Sequence, residues 1–534
     1  MTETLKNRIK RNAEHDKERA AGSVGVNGGL NFLVEPQSAT ISSVFASVNS
    51  HGAGRIDTTP VLVGSGTGLD TAIYQTSSFP DDPAALKHFE TAFTTKYLDD
   101  LFPFLFPFYR PNILETGRYW ILSLLEHSDV ARQAALSLTS YFLTVCMQET
   151  YPGEFEPCKK EIWGRLSQQT NGYFMRVQEE VEQLRLQAGG ATVQDRARSM
   201  ASIVQALLFE VALGRSGSWN IHLTAALGLF EEISCAQTKH EATPTFMSLL
   251  IGFGKPAWYT PEIDSYVWNT EQAGFRFFTA LLIFLDVVGS TATEERPRFL
   301  DHYPLLLADI DEGEHTHEPI SLQLSVYVGC ENWIIIAIGE IAALAKWKKD
   351  AKSNGSLSVM ELARRAMRIE ASLDKGILRL ETRSSESVNP KQNRSPSWYG
   401  RPPPLISSQT ASSIWAQAAL IYLAVVVSGW QPSNAAIRTG VRRTISLLLP
   451  IKSPSHLQAF KWPFVVAGCL AEPGEEQHQF MAILRSNNEM GMYGVMTEAR
   501  DILLKTWEKR CTFDRDGWEM ASCFRILGFP VLLM

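Results

Sequence analysis

The sequence predicts an all-α protein assembled from many helices. Four observations predict it. Apolar residues recur at helical spacing through most of the chain, strand-like runs are sparse, and the turn spacing does not suggest βαβ alternation. The fourth is Leu322–Lys348, LQLSVYVGCENWIIIAIGEIAALAKWK, apolar around nearly the whole helical circumference, which favours a central helix over a surface one. Beyond Ser325, only Glu331, Asn332 and Glu340 interrupt the run before Lys346. At about 100° per residue the two glutamates point to opposite sides of such a helix. The segment therefore predicts neighbours on more than one face and two carboxylates in need of partners.

The remaining elements follow in chain order. Residues 1–88 read as an irregular N-terminal region with one short basic segment, KNRIKR at 6–11, and then a run rich in Gly, Ser, Thr, Asp and Pro. The basic segment reads either as a nuclear-localisation or phosphate-contacting patch or as a solvated helix end. Residues 89–534 read as a single large helical domain with a flexible excursion at 382–409. In Tyr97–Arg110, YLDDLFPFLFPFYR, Pro103 and Pro107 forbid one continuous helix, and the aromatics predict an anchor to the body. Residues 112–127 and 129–149 predict a helical hairpin, with Asp129 a candidate cap for its second arm. Glu161–Ala188 is amphipathic. Val193–Ala212 and Trp219–Cys235 predict paired buried helices joined through Gly214–Ser218, with Ser218 a candidate N-cap. Thr270–Ser290 predicts a strongly apolar helix broken at Gly289, Ser290 and Thr291, and residues 292–317 a loop. Helical periodicity returns in Val359–Glu381, Ser412–Ser428, Asn434–Leu449, Phe460–Leu470, Gln477–Ser486 and Val495–Lys509, and Trp518–Leu533 closes the apolar body.

Composition narrows the function classes. The 57 acidic and 50 basic residues leave a formal charge of −7, which argues against a nucleic-acid surface over the whole body. The seven cysteines contain no CxxC, and buried thiols in a reducing compartment are the simpler reading. The N-terminus has no apolar signal-peptide core. The best membrane candidate, Ile414–Trp430, is 17 residues long and contains Gln417 and Ser428, so it reads as a buried helix. These features predict an intracellular protein, nuclear or cytoplasmic, with no membrane partner.

Motifs for known chemistry are weak. GxxxxGK[ST], HExxH and the EF-hand loop are missing from the sequence. GSGTG at 64–68 lacks a strand–turn–helix context, and GRSGS at 214–218 has the wrong spacing for a serine nucleophile elbow. In EHTHE at 314–318, His315 and His317 are fixed by no third ligand, so no metal and no cofactor is expected. Chemistry that needs only spatial proximity points instead to polar residues lodged in apolar helices. Those are Glu210, His222, Asp286 and Glu331 as candidate catalytic groups, with Arg215, Trp219 and Trp333 as candidate pocket residues.

Several phrases, taken in order, resemble one family. They are Leu101–Pro111 (LFPFLFPFYRP), Leu207–His222 (LLFEVALGRSGSWNIH), Phe277–Thr291 (FFTALLIFLDVVGST), Gly329–Lys348 (GCENWIIIAIGEIAALAKWK), Tyr422–Pro432 (YLAVVVSGWQP) and Lys461–Ala471 (KWPFVVAGCLA), followed by Trp507 and Trp518. Together they look like the fungal transcription-factor domain 2 family, the regulatory domain that follows the zinc binuclear cluster in many fungal regulators. The resemblance covers roughly residues 90–534. It implies an all-helical regulatory domain, often nuclear and dimeric, tied to metabolism or secondary-metabolite gene clusters, and it supplies no catalytic residues. The DNA reader of such regulators uses six closely spaced cysteines around two zinc ions. The first cysteine here is Cys146, so no sequence-specific DNA binding through that module is expected. The expected function is a transcription regulator acting through a small apolar metabolite, a protein partner or a homodimer. The alternative is a biosynthetic enzyme on the same fold, catalysing cyclisation, isomerisation or proton transfer in an apolar pocket.

Overall fold

The computed structural model describes residues 83–111, 117–150, 179, 192–214, 219–238, 245–260, 265–307, 321–386, 406–487, 493–510 and 517–534. The basic segment at 6–11, GSGTG, nearly all of Glu161–Ala188, Arg215, Ser218, EHTHE and most of the 382–409 excursion lie outside the described residues.

Helix α1 (Pro83–Lys96) runs through a π-helical turn, Tyr97–Leu101, into the short α2 (Phe102–Leu105). Pro103 sits in the first turn of α2, where its missing N–H costs nothing, and the segment breaks as the prolines require. Phe102, Phe106 and Tyr109 then pack on Phe277 at ring-centroid distances of 5.6, 5.1 and 4.9 Å, so the aromatics do anchor this stretch. Helices α3 (Tyr119–His127) and α4 (Asp129–Thr150) form the expected hairpin. Its cap differs: the Ser128 hydroxyl accepts from the Ala131 N–H at 3.1 Å, while Asp129 turns outward to Arg132. Helix α5 (Val193–Ala212) begins with a Thr192–Asp195 capping box and pairs along its length with α6 (Trp219–Thr238). After α7 (Phe246–Ile251), strands β1 (Trp258–Thr260) and β2 (Ser265–Val267) form an antiparallel hairpin.

The centre of the body is α8 (Thr270–Thr293), buried on all sides and packed on α3, α5 and α6. It does not break at Gly289, as the sequence suggests. A Cβ at Gly289 would stand 2.8 Å from Trp219, so the glycine admits the indole of α6 rather than ending α8. A 3₁₀ turn (Arg298–His302), α9 (Tyr303–Leu306) and α10 (Leu324–Val328) lead into α11 (Asn332–Ser353).

The apolar run 322–348 is therefore two helices. Gly329, with φ +76°, ends α10, and a Cβ there would meet Phe108 at 2.4 Å, so both the backbone and the packing require glycine. Glu331 occupies the N-cap position of α11 rather than its interior, and Glu340 is exposed. The expectation of neighbours on several faces holds: α11 packs on α8, on α12 (Val359–Glu386) and on α13 (Ser408–Ser428).

The C-terminal part continues through α14 (Ala435–Leu448), α15 (Pro454–Gln458), α16 (Lys461–Cys469), α17 (Glu475–Arg485), α18 (Met496–Lys509) and α19 (Met520–Phe524). α13 packs on α14 and α16, and α16 on α18. Val531, Leu532 and Leu533 are buried against the body. α8 and α13 are both long and apolar enough to cross a membrane, but 89% and 72% of their apolar windows are buried inside the fold. Their hydropathy is that of core helices.

Candidate functional site

The polar residues picked out by the sequence are distributed over α5, α6, α8 and α11. Glu210 is buried on α5. His222 is half-buried on α6, and burial holds its imidazole below the ordinary value. Asp286, only 4% exposed on α8, accepts from the Phe299 N–H at 2.8 Å. Burial pushes its carboxyl up to about 6, against the opposing N–H groups of Phe299 and Arg298. Glu331 accepts from the Trp333 indole at 2.7 Å. Trp219 donates to the Pro530 carbonyl at 2.8 Å. None of these six lines any of the three cavities described next, and Arg215 lies outside the described residues.

Two of those cavities are small, about 50 Å³ each. One is a notch of mixed lining between α3, α5 and α8, bridged by Arg198 and Glu271 at 2.9 Å. The other is an apolar slot lined by Phe106, Phe108, Phe284, Tyr493 and Lys461. Burial pushes the Lys461 amine down to about 7, opposed by Glu498, and the amine donates to the Met534 carbonyl.

The third is different in scale. It encloses about 650 Å³, inside the roughly 300–1,000 Å³ range of small-molecule sites. Its walls are the last turns of three helices: α11 supplies Lys348 and Lys352, α13 leads into Gly429 and Trp430, and α18 leads into Arg510. Glu472, Trp518 and Glu519 complete it. Helix C-termini present unpaired carbonyls and partial negative charge, and cations placed there satisfy both. Lys348 donates to the Val426 carbonyl at 2.7 Å and pairs with Glu519 at 3.5 Å. Arg510 donates to the Ala471 carbonyl at 2.6 Å. Gly429, with φ +76°, ends α13 and turns the chain so that Trp430 meets the edge of Trp518 at 6.4 Å.

A charged support stands behind this crevice. Glu294, the C-cap of α8, holds a left-handed backbone at φ +57°, the only non-glycine with positive φ among the described residues. It pairs with Lys349 at 2.5 Å and Arg525 at 3.2 Å. Burial alone would raise its carboxyl, but Lys349 and Arg525 hold it below the ordinary value.

The crevice offers the half-buried Trp518 indole, backed by the buried Trp430, to an apolar surface, and carboxylates and cations to polar substituents. It holds no nucleophile–base pair. Among the described residues no three His, Cys, Asp or Glu side chains gather as a metal site requires. A search for polar residues inside apolar helices misses it, because its polar groups sit at helix ends. The signal lay elsewhere, in the phrase Tyr422–Pro432 and the closing region at Trp518, which converge here.

Comparisons with known proteins agree in direction. A family model described as fungal specific transcription factor domain matches residues 92–532. The chain is 33% identical over 446 residues to Transcription factor dibT of Pestalotiopsis microspora, covering 82% of this chain and 70% of that protein. It is 25% identical to Pestheic acid cluster transcriptional regulator 3 of Pestalotiopsis fici, over 84% of this chain and 77% of the relative. It is 26% identical to Trichothecene biosynthesis transcription regulator TRI10 of Trichoderma arundinaceum, over 85% of this chain and 99% of the relative. No solved structure matches the chain.

Proposed function

The chain belongs to the fungal specific transcription factor domain family, and from that premise we propose that it regulates transcription of a fungal biosynthetic gene cluster, with the 650 Å³ crevice as its effector seat. The observation that carries the regulatory reading is the similarity to dibT, which runs through 82% of the chain rather than through one motif. The names of the two cluster regulators support the choice of target genes.

The crevice supports a ligand of mixed character. The half-buried Trp518 suits an aromatic or polycyclic metabolite, and Lys352, Glu472 and Glu519 suit its oxygen or nitrogen substituents. The effector is thus a polar aromatic metabolite rather than a purely apolar one. Nuclear localisation is part of this proposal. Transcript profiling after gene deletion tests it: one contiguous biosynthetic cluster should fall silent, and restored wild-type protein should revive it. Unchanged transcripts in every cluster would sink the regulatory reading.

A further inference from the structure

The apolar slot holds one group out of keeping with its walls. Leu105 of α2, Val211 of α5, Phe284 of α8 and Val328 of α10 line it together with Lys461, the first residue of α16. Lys461 is only 8% exposed, and no other lysine, arginine or histidine lines the slot among the described residues. A buried ammonium needs carboxylates against it. Here the amine has one hydrogen-bond partner among the described residues, the Met534 carbonyl, and no ion pair. The first residue of a helix also stands at the positive end of its dipole, which disfavours a further positive charge. Burial pushes the amine down to about 7, with the buried Glu498 of α18 in opposition, so about half of it is uncharged at neutral pH. An uncharged lysine in an apolar pocket is a nucleophile.

We propose that Lys461 captures a small aldehyde or ketone in this slot as a Schiff base. The step needs no oxidant or reductant. The amine nitrogen adds to the carbonyl carbon, and the C=O π pair becomes a hydroxyl that takes one N–H proton. The second N–H proton leaves with that hydroxyl as water while the C=N bond forms. The neutral imine adds no charge to the apolar walls. Charge thus selects a carbonyl over a carboxylic acid, which would bring a second anion near Glu498 with no further cation in the walls to meet it. Size sets the rest of the ligand. A buried water needs about 10–15 Å³ of such space, so 50 Å³ takes about four groups of that size, a short aliphatic chain rather than a ring system. The slot shares no lining residue with the 650 Å³ crevice, so the two sites stand or fall separately.

Butanal with cyanoborohydride tests the site on the full chain, because reduction of the imine fixes a butyl group that peptide mass spectrometry can place. At pH 7 Lys461 should gain that group at least about tenfold faster than the exposed Lys255 and Lys505. Its rate should level off above about pH 8, whereas theirs should still climb at about pH 9. Pyrene-1-carboxaldehyde, too large for the slot, should mark only exposed lysines, and unfolding in urea should abolish the preference for Lys461. Lys461→Met, similar in length and apolar, should keep its circular dichroism and lose only the fast site. Butylation confined to exposed lysines overturns the proposal, and the wild-type protein alone can give that result. Lys461 marked as readily by the pyrene aldehyde would put the reaction outside the slot. A Lys461 rate still climbing at about pH 9 would show the amine charged in the folded protein. Either of these also overturns it.

Discussion

The indole of Trp333 on α11 lies directly over Gly376 on α12. A Cβ built at Gly376 would stand 2.5 Å from the ring, closer than any real side chain approaches. These two residues set the spacing of the helices, with Glu331 fixing the indole from its other end through a 2.7 Å bond.

Gly376→Ala should therefore destabilise the fold. Alanine gains up to about 1 kcal/mol in helix propensity, while overpacking costs about 1–3 kcal/mol. The net expectation is a loss of about 1–2 kcal/mol, read as a lower unfolding midpoint. Gly228 on α6 supplies the contrast, because nothing lies within 4 Å of its Cβ position. Gly228→Ala should raise the midpoint, by about 0.5–1 kcal/mol. If both substitutions shift stability the same way, packing at Trp333 does not decide the outcome.

Asp286 makes stability depend on pH in an unusual direction. Its folded value of about 6 lies above the ordinary 3.8, so the folded state holds the proton more tightly than the unfolded chain. The stabilisation is complete below about pH 4 and is lost as pH rises through 6, amounting to roughly 3 kcal/mol. Asp286→Asn keeps an acceptor for the Phe299 N–H and carries no charge. Its unfolding midpoint minus that of wild type should grow between pH 4 and 6 and then level off. A difference that stays flat across that window would show the carboxyl already ionised when folded.

The crevice reading predicts a separation of activity from folding. Trp518 lines the crevice, and Lys352 lies on its exposed rim. Trp518→Ala removes an aromatic contact worth about 0.5–1.5 kcal/mol, and Lys352→Glu reverses one charge. In cells, target transcripts should fall several-fold with either variant while protein abundance holds. A fluorescent probe, 8-anilinonaphthalene-1-sulfonate, should bind wild type and lose about tenfold affinity in Trp518→Ala. Equal binding by both proteins would place the probe elsewhere.

The helices were legible because their signal is local. Val193–Ala212 can be read to the residue, since Thr192 and Asp195 mark its start and the glycine at 214 follows its end. The break at Gly329 and the continuation through Gly289 were not legible. Both are glycines in apolar runs, and only the distant rings of Phe108 and Trp219 decide that one ends a helix and the other seats a neighbour. The crevice was hidden for a related reason. Its residues come from positions 348, 430, 472, 510 and 518; 348, 430 and 518 fall within the family-like phrases, but only the convergence of three helix ends makes them a site.

The wall at Glu472 depends on a buried ion pair one step back. Arg438 on α14 meets Glu476 on α17 at 2.6 Å, with side chains 9% and 12% exposed, and also donates to the Leu470 carbonyl. Glu476 in turn accepts the Glu472 N–H at 2.9 Å, which fixes the turn that carries Glu472 into the crevice. Arg438→Met leaves a buried carboxylate whose remaining cation, Arg442, is 70% exposed and 3.6 Å away, and it strands the Leu470 carbonyl. Breaking a buried pair from one side costs about 3–5 kcal/mol. Glu476→Gln should cost less, because the amide oxygen can still accept from Glu472 and no buried anion remains. Thermal melts should rank wild type above Glu476→Gln and Glu476→Gln above Arg438→Met. Replacing both residues with apolar groups should recover stability relative to Arg438→Met alone, since the uncompensated charge is gone. A double variant less stable than Arg438→Met would mean that the pair contributes more than it costs to bury.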